Sequence, residues 1–233
     1  MPKRIPINGI VERNNYPIET LYANPPDFFL SFDSKIIMKK IFPFLLLLQL
    51  TGYGQVASEI YMFNLGWKNN EPVLSSPVNI TNHKGYDNQP FFHPSKPLIY
   101  YSSFNDSGRS DINYYNYLTK QTVQFTNTLE REYSPTLTPD RKFISCIIQR
   151  EQGAQDLGKY PVKGGKPETI IQTLKVGYHL WIDDQHLLLF VLGDSNQNYL
   201  HYFNLITKED KVIADNPRGV PCTKFPDRIV SVL

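Results

Sequence analysis

The sequence of 233 residues contains only two cysteines. Cys146 and Cys222 lie far apart and lack the close spacing of paired metal ligands, which argues against a zinc site. Two alternatives remain for Cys146. It could form a disulfide with Cys222, which export would permit, or fill space as a small apolar residue in the strand-like run 143–148, facing away from Ile147.

The chain also lacks an excess of charge of one sign. It has 24 basic and 22 acidic residues, so no concentrated positive field is available for a nucleic-acid backbone. Hydrophobic residues make up 41% and charged residues 20%, which fits neither a disordered acidic tail nor a protein with many membrane spans. The composition therefore predicts a globular protein that does not bind DNA or RNA.

No hydrophobic run is long enough to span a membrane. The longest, 41–50, has about ten residues, against the roughly 20 that a membrane helix needs. It follows Met38 and two lysines and precedes Gly52 and Gly54, the layout of a secretory signal over 38–54 with cleavage after Gly54. A buried strand or a short core helix is the alternative for this run.

Residues 1–37 are largely polar and show no clear period, so they would make an unusually long leader. We expect them to be a non-native extension ahead of a true start at Met38. No cysteine follows the apolar run directly, which argues against a lipoprotein anchor. The predicted mature product is an exported protein of the periplasm or the extracellular space, without a membrane span.

Aromatic residues and prolines are plentiful. The chain has 15 Tyr and 14 Phe, and its 18 Pro outnumber its 13 Gly. Strands separated by turns use such residues, whereas long helices do not. The composition favours an all-β fold.

A repeat of 45 residues runs through the second half of the chain. Pro90 and Pro94 recur as Pro135 and Pro139, both at a shift of 45. A further shift reaches Leu180, where the pattern continues without the prolines.

Each copy has three strand-like runs separated by polar turns, and a short run before the first of them makes a fourth strand. The three runs are 98–102, 111–117 and 122–125 in the first copy, 143–149, 156–162 and 169–171 in the second, and 187–192, 199–205 and 211–213 in the third. Four antiparallel strands in 40 to 50 residues are typical of a β-propeller blade.

The predicted fold is an incomplete β-propeller of four-stranded antiparallel blades over 55–216. It has about three full blades and partial blades at each end; the leading fragment lies near 58–74, and the tail 217–233 diverges from the repeat. The open blade edges and faces of such a ring predict self-association.

The segment Ser134-Pro135-Thr136-Leu137-Thr138-Pro139-Asp140, followed by two strands, resembles the TolB-like β-propeller repeats of exported bacterial proteins. The resemblance covers Ala57 to about Asn216. Arg141 departs from it, because the family usually has Gly there, and so does the length, because such proteins typically have about six blades. The resemblance implies a non-enzymatic module that contacts other envelope proteins, peptides or sugars.

Candidate binding residues precede the first of the three strand-like runs in each copy. They recur in register near one predicted mouth of the channel, where aromatic faces and polar tips can hold a peptide or a sugar. They are Asn88 and Gln89, Tyr133 and Ser134, and Tyr178 and His179. Packing of each Tyr against the next blade, with its hydroxyl bonded to a loop, is the alternative.

Catalytic, cofactor and metal sites find little support. The chain has no Gly-x-Ser-x-Gly elbow. His179, His186 and His201 lack ligand spacing, and we expect a turn at Asp183-Asp184 and a surface position for His201. The acidic residues Asp87, Asp106, Asp111 and Asp194 are scattered and do not establish a calcium site.

The glycine cluster 163–166 indicates a hairpin rather than a phosphate loop, because no helix pattern follows it. The rival function is a carbohydrate- or peptide-processing hydrolase, or the accessory propeller of one. Its acids at the channel mouth would be residues such as Asp87 and Glu132.

Overall fold

The structure is a computed structural model that describes residues 10–12, 57–217, 221–225 and 228–231, all within one compact unit. The predicted signal 38–54 lies outside the described residues. A leading sheet contains β1 (Ile10–Glu12), β2 (Ile60–Lys68) and β3 (Glu71–Asn79). One short strand of the predicted N-terminal extension thus pairs with β2.

Three four-stranded antiparallel sheets follow, with each strand paired to the next in the chain. Blade 1 comprises β4 (Asp87–Phe92), β5 (Leu98–Phe104), β6 (Ser110–Asn116) and β7 (Gln121–Gln124). Blade 2 comprises β8 (Arg131–Leu137), β9 (Phe143–Gln149), β10 (Gln155–Pro161) and β11 (Glu168–Ile171). Blade 3 comprises β12 (Val176–Trp181), β13 (His186–Leu192), β14 (Asn198–Asn204) and β15 (Asp210–Asp215). The all-β, incomplete propeller predicted from the repeat is confirmed.

The divergent tail forms a two-stranded sheet of β16 (Pro221–Phe225) and β17 (Arg228–Ser231). Strand β16 lies next to β12 and β13 of blade 3. No helix of the described residues is both long and apolar enough to cross a membrane.

The core lies between the blades because alternate residues of one strand face opposite neighbours. On β9, Ile144, Cys146 and Ile148 pack with Tyr100 and other residues of blade 1. Ile147, on the opposite face, packs with residues of blade 3. Cys146 is a fully buried free thiol, and it faces away from Ile147 as the alternation predicts.

A tight turn joins the first two strands of blade 2. The N–H of Arg141 donates to the carbonyl of Thr138 at 2.9 Å, and Asp140 accepts a bond from the Lys142 N–H at 3.0 Å. Arg141 has φ of +60°, in the left-handed region that favours glycine. Arg141, which replaces the usual Gly of the TolB-like pattern, thus has a side chain at a backbone position that favours glycine.

The hairpin predicted at 163–166 is confirmed. Gly164 and Gly165 have φ of +85° and +136° between β10 and β11, and the Gly164 N–H donates to the Pro161 carbonyl at 2.9 Å.

Candidate functional site

All six predicted site residues lie on the first strands of the three blades, near the end where those strands begin. Three of them are equivalent in the pairing between first and second strands. Asn88 lies opposite Ser102, Tyr133 opposite Ile147, and Tyr178 opposite Phe190. The 45-residue register therefore places the two tyrosines at matching positions of adjacent blades.

Each first strand has a bulge beside this position. The pairing shifts after Asn88 in β4 and after Tyr133 in β8, whereas in β12 it shifts before Tyr178. Gln89 and Ser134, which lie in the first two bulges, both have φ of +54°. Positive φ is uncommon for residues other than glycine. Its recurrence at Gln89 and Ser134 shows that the bulge bends the first strand in the same way in blades 1 and 2.

The bulges open onto a groove that spans all three blades and encloses about 290 Å³, here called the tyrosine groove. Its polar lining consists of two tyrosines and three glutamines. The lining residues are Gln89, Tyr133, Gln149, Gln155 and Tyr178, with Ile147, Gly177 and Leu192 as apolar contacts. The structure thus brings together three of the six predicted residues: Gln89, Tyr133 and Tyr178.

Aromatic neighbours hold both tyrosines. The Tyr178 ring meets Phe190 edge-on, with 6.0 Å between the ring centroids, and Tyr133 lies 6.2 Å from Phe104. The hydroxyl of Tyr133 donates a long bond of 3.5 Å to Gln149 Oε1. Burial raises the pKa of Tyr133, while the nearby Arg131 opposes that rise, so the hydroxyl stays protonated at neutral pH.

Gln89 connects blade 1 to blade 2. Its Oε1 accepts bonds from the Ser134 N–H at 2.8 Å and from the Ser102 hydroxyl at 3.1 Å. The main chain of Ser134 is thereby fixed, and its own Oγ is buried without a hydrogen-bond partner in the described structure. Asn88 donates to the Tyr86 hydroxyl at 2.6 Å. Neither Ser134 nor Asn88 lines the groove.

His179 does not reach the groove either, because it is buried between blades 2 and 3. Its Nε2 lies 2.8 Å from Ser145 Oγ, which also accepts a bond from Trp181 Nε1 at 2.9 Å. Ser145 Oγ donates to the carbonyl of Thr136 at 3.1 Å, so we assign the proton of the neutral imidazole to Nε2. Burial lowers the pKa of His179 to about 4.

The contact between Ser145 and His179 is a structural link between blades rather than a nucleophile and its base. Both side chains are buried, and within the described structure His179 Nδ1 has no hydrogen-bond partner that could orient the ring.

A second pocket, here called the arginine pocket, adjoins the groove through Gln149 and encloses about 270 Å³. Three guanidinium groups and one carboxylate line it. The residues are Arg109, Leu129, Arg131, Gln149, Arg150, Glu151 and Gly153. Sequence reasoning missed this pocket. The sequence does carry one signal. Each of the three arginines lies at or next to a strand terminus, and all three termini are at the same end of the blades.

The two acids of the rival hydrolase hypothesis line neither cavity. Glu132 is fully buried, and its Oε1 accepts bonds from the Tyr160 hydroxyl at 2.8 Å and the Thr128 hydroxyl at 2.6 Å. Asp87, the equivalent residue of blade 1, is also buried and lies 2.8 Å from His83 Nδ1. Burial is the main cause that raises the pKa of both carboxyls.

The remaining histidines have local partners. His186 Nδ1 lies 2.9 Å from Asp183 in the predicted turn. The expected surface position of His201 is wrong, because the residue is buried and its Nδ1 lies 2.6 Å from Asp210 on the neighbouring strand. Among the described residues, no group of three or more His, Cys, Asp or Glu could hold a metal ion.

No family model and no curated protein matches the sequence. Solved structures do match. One assigned to TolB of Agrobacterium tumefaciens has a TM-score of 0.55 and 15% identity, and the match covers 71% of this chain and 58% of that one. TolB from Acinetobacter baumannii has a TM-score of 0.50 and 17% identity, with 68% and 41% covered.

The chain therefore has the TolB-like β-propeller fold that the repeat predicts, and it spans 58% and 41% of the length of these two structures. A puromycin-hydrolysing peptidase from Mycobacterium tuberculosis has a TM-score of 0.47 and 12% identity, with 75% of this chain and 29% of that one covered. That likeness is too weak to bear on activity.

Proposed function

We propose that the protein is a non-enzymatic, exported binding module that holds an extended peptide segment of an envelope protein in the tyrosine groove. The observation that carries the proposal is the convergence of Tyr133, Tyr178 and three glutamines from three blades on one concave surface. A volume of about 290 Å³ accommodates a few side chains, near the lower end of the roughly 300 to 1,000 Å³ usual for ligand pockets.

The chemistry of the lining suits a peptide. Glutamine side chains donate and accept hydrogen bonds, as peptide groups do, and tyrosine offers an apolar face with a polar tip. None of the groove residues is a carboxylate, a histidine or a cysteine. Because the pKa of Tyr133 is raised, almost no phenolate is present at neutral pH to act as a general base, which supports binding over catalysis.

Export rests on the segment 38–54, with its lysines, short apolar run and small residues before the cleavage point. Mass spectrometry of the natural protein tests it. We expect an N-terminus at Gln55, and an N-terminus at Met1 would contradict the export signal.

Site-directed photocrosslinking tests the groove. A benzoylphenylalanine replaces Tyr178 in the full chain, and a control chain carries it at Leu118, which is 74% exposed at the opposite end of blade 1. We expect an envelope protein to crosslink at position 178 and not at 118, and Tyr133→Ala to reduce the yield.

The crosslinked segment, made as a synthetic peptide, gives the quantitative test. We expect Tyr133→Ala and Tyr178→Ala each to weaken its binding by about five- to thirtyfold, because tyrosines that a bound partner covers are frequent hot spots. Leu118→Ala is the matched control and should leave affinity unchanged. Unchanged affinity in both tyrosine variants would count against the proposal.

A further inference from the structure

Two of the three guanidinium groups that line the arginine pocket have no carboxylate partner among the described residues. Arg150 is satisfied, since its Nε lies 2.8 Å from Asp156 and its Nη1 lies 3.5 Å from Glu130. Arg109 and Arg131, by contrast, have no carboxylate within ion-pair distance among the described residues.

Arg109 is the more unusual of the two. Its Nε is buried, and it has no hydrogen-bond partner in the part of the chain that the structure describes. A buried N–H of a cation without an acceptor is unfavourable, and an oxygen anion in the pocket would relieve it. The only carboxylate that lines the pocket belongs to Glu151, which follows Arg150 in an exposed loop.

The arginine pocket and the tyrosine groove share one lining residue. Gln149 lines both cavities, and on the adjacent strand it pairs with Arg131. Arg131 also lies close enough to Tyr133 to oppose the effect of burial on that hydroxyl. A peptide that extends from the groove past Gln149 would therefore meet two guanidinium groups that have no carboxylate partner among the described residues.

We propose that the arginine pocket is a carboxylate-binding subsite of the tyrosine groove, so that the preferred ligand is an acidic peptide. The planar fork of a guanidinium group matches the two oxygens of a carboxylate. The inference rests on the proposed function for the position of the peptide, while the carboxylate subsite itself depends only on the pocket.

Three fluorescent peptides test the preference on the full chain at low salt. The first is Gly-Tyr-Gly-Glu-Gly-Tyr-Gly with an amidated end, the second has Gln in place of Glu, and the third has Gln and a free terminal carboxylate. We expect the Glu peptide to bind about tenfold more tightly than the Gln peptide, with a preference that shrinks as salt is added. The third peptide distinguishes a side-chain from a chain-end carboxylate.

Arg109→Gln and Arg131→Gln should each remove most of this preference and leave binding of the amidated Gln peptide unchanged. Arg141→Gln, an exposed arginine in the turn at the other end of blade 2, is the matched control. Arg131 is exposed, so its variant keeps the test valid if Arg109→Gln impairs folding. Equal affinities of the Glu peptide, the free-end peptide and the amidated Gln peptide would overturn the inference.

A titration with acetate alone tests the carboxylate subsite independently of peptide binding in the groove. In an NMR titration, the Nε–H signal of Arg109 should shift saturably with acetate, and that of Arg141 should not. Absence of a saturable shift overturns the subsite even if peptides bind. A saturable shift in a chain that binds none of the peptides would support the subsite and refute the peptide groove.

Discussion

Blade 2 and the leading sheet have similar strands and very different surroundings. Blade 2 has neighbours on both faces, and Ile144 and Ile147, which face opposite sides of it, are almost completely buried. In the leading sheet, Trp67 is 63% exposed and Leu74 is 46% exposed. The comparison shows that a blade of this fold obtains its core from the adjacent blades rather than from itself.

The leading sheet is covered only in part. Ile60 packs with Ile99 and Tyr101 of blade 1, whereas almost all of β3 is exposed. Apolar side chains on an open sheet are a site where a second chain can pack, so the self-association expected from the sequence stays a prediction for this surface.

Large-to-small substitutions should give the greatest difference between the two regions. Ile144→Ala opens a cavity in blade 2, because the side chain is fully buried, and should lower the free energy of unfolding by about 2 to 5 kcal/mol. Val73→Ala, at a position 41% exposed in the leading sheet, should change it by less than about 0.5 kcal/mol. Urea unfolding of the full chain measures both, and similar losses would contradict the comparison.

Acid should weaken the contact between blades 2 and 3 through His179. Because the folded-state pKa is about 4 and the ordinary value is 6.5, the stabilisation is complete above pH 6.5 and is lost as pH falls toward 4. At pH 4, the free energy of unfolding should be lower by about 3 kcal/mol than above pH 6.5 because of this residue.

His179→Gln should remove that part of the pH dependence, as measured by unfolding at pH 7, 5.5 and 4. The described part of the leading sheet from residue 57 to 79 contains no histidine and should contribute no such dependence. A variant with the pH profile of the parent chain would refute the role of His179.

Glycine-to-alanine substitutions should give the smallest difference between blade 2 and the leading sheet. In Gly158→Ala, the new Cβ would lie 2.4 Å from Ile148 Cδ1, and we expect a loss of about 1 to 3 kcal/mol in the free energy of unfolding. In Gly66→Ala of the leading sheet, the nearest atom is 3.8 Å away, so the change should be neutral or stabilising by up to about 1 kcal/mol.

Ile148→Val removes the clashing Cδ1 and tests the cause of that loss. In the double variant with Gly158→Ala, the two losses should be less than additive, since the cavity left by one substitution receives the methyl group of the other. Strict additivity in chemical denaturation would assign the effect of Gly158→Ala to the backbone instead.

The sequence predicts the blades well because each strand repeats both its position and its alternation. The prolines at 90 and 135 fix the first two copies, and the third is recognisable without them because β13 keeps the apolar run of β9. Even the poorer run around Gly158 and Pro161 forms a strand, since its neighbours on both sides supply hydrogen bonds and apolar contacts.

The site is only partly predictable. Register alone places Tyr133 and Tyr178 in one groove, because equivalent residues of adjacent blades face the same way. The predicted groove position of His179 is not found, because adjacent residues of a strand face opposite sides. Tyr178 lines the groove, so His179 is buried in the interface with blade 2. The arginine pocket gathers residues that are distant in sequence, and the position of each arginine at a strand boundary is the one sequence signal that they share.

The two interfaces of blade 2 use different polar contacts at comparable places. Toward blade 1, Gln89 binds the main chain of Ser134, the residue 45 positions later. Toward blade 3, Ser145 binds His179 and Trp181 instead. A chain from which blade 2 is deleted would therefore bring together surfaces of blades 1 and 3 that lack these matched polar contacts. The linear arrangement of the units is thus specified chemically as well as by their connections.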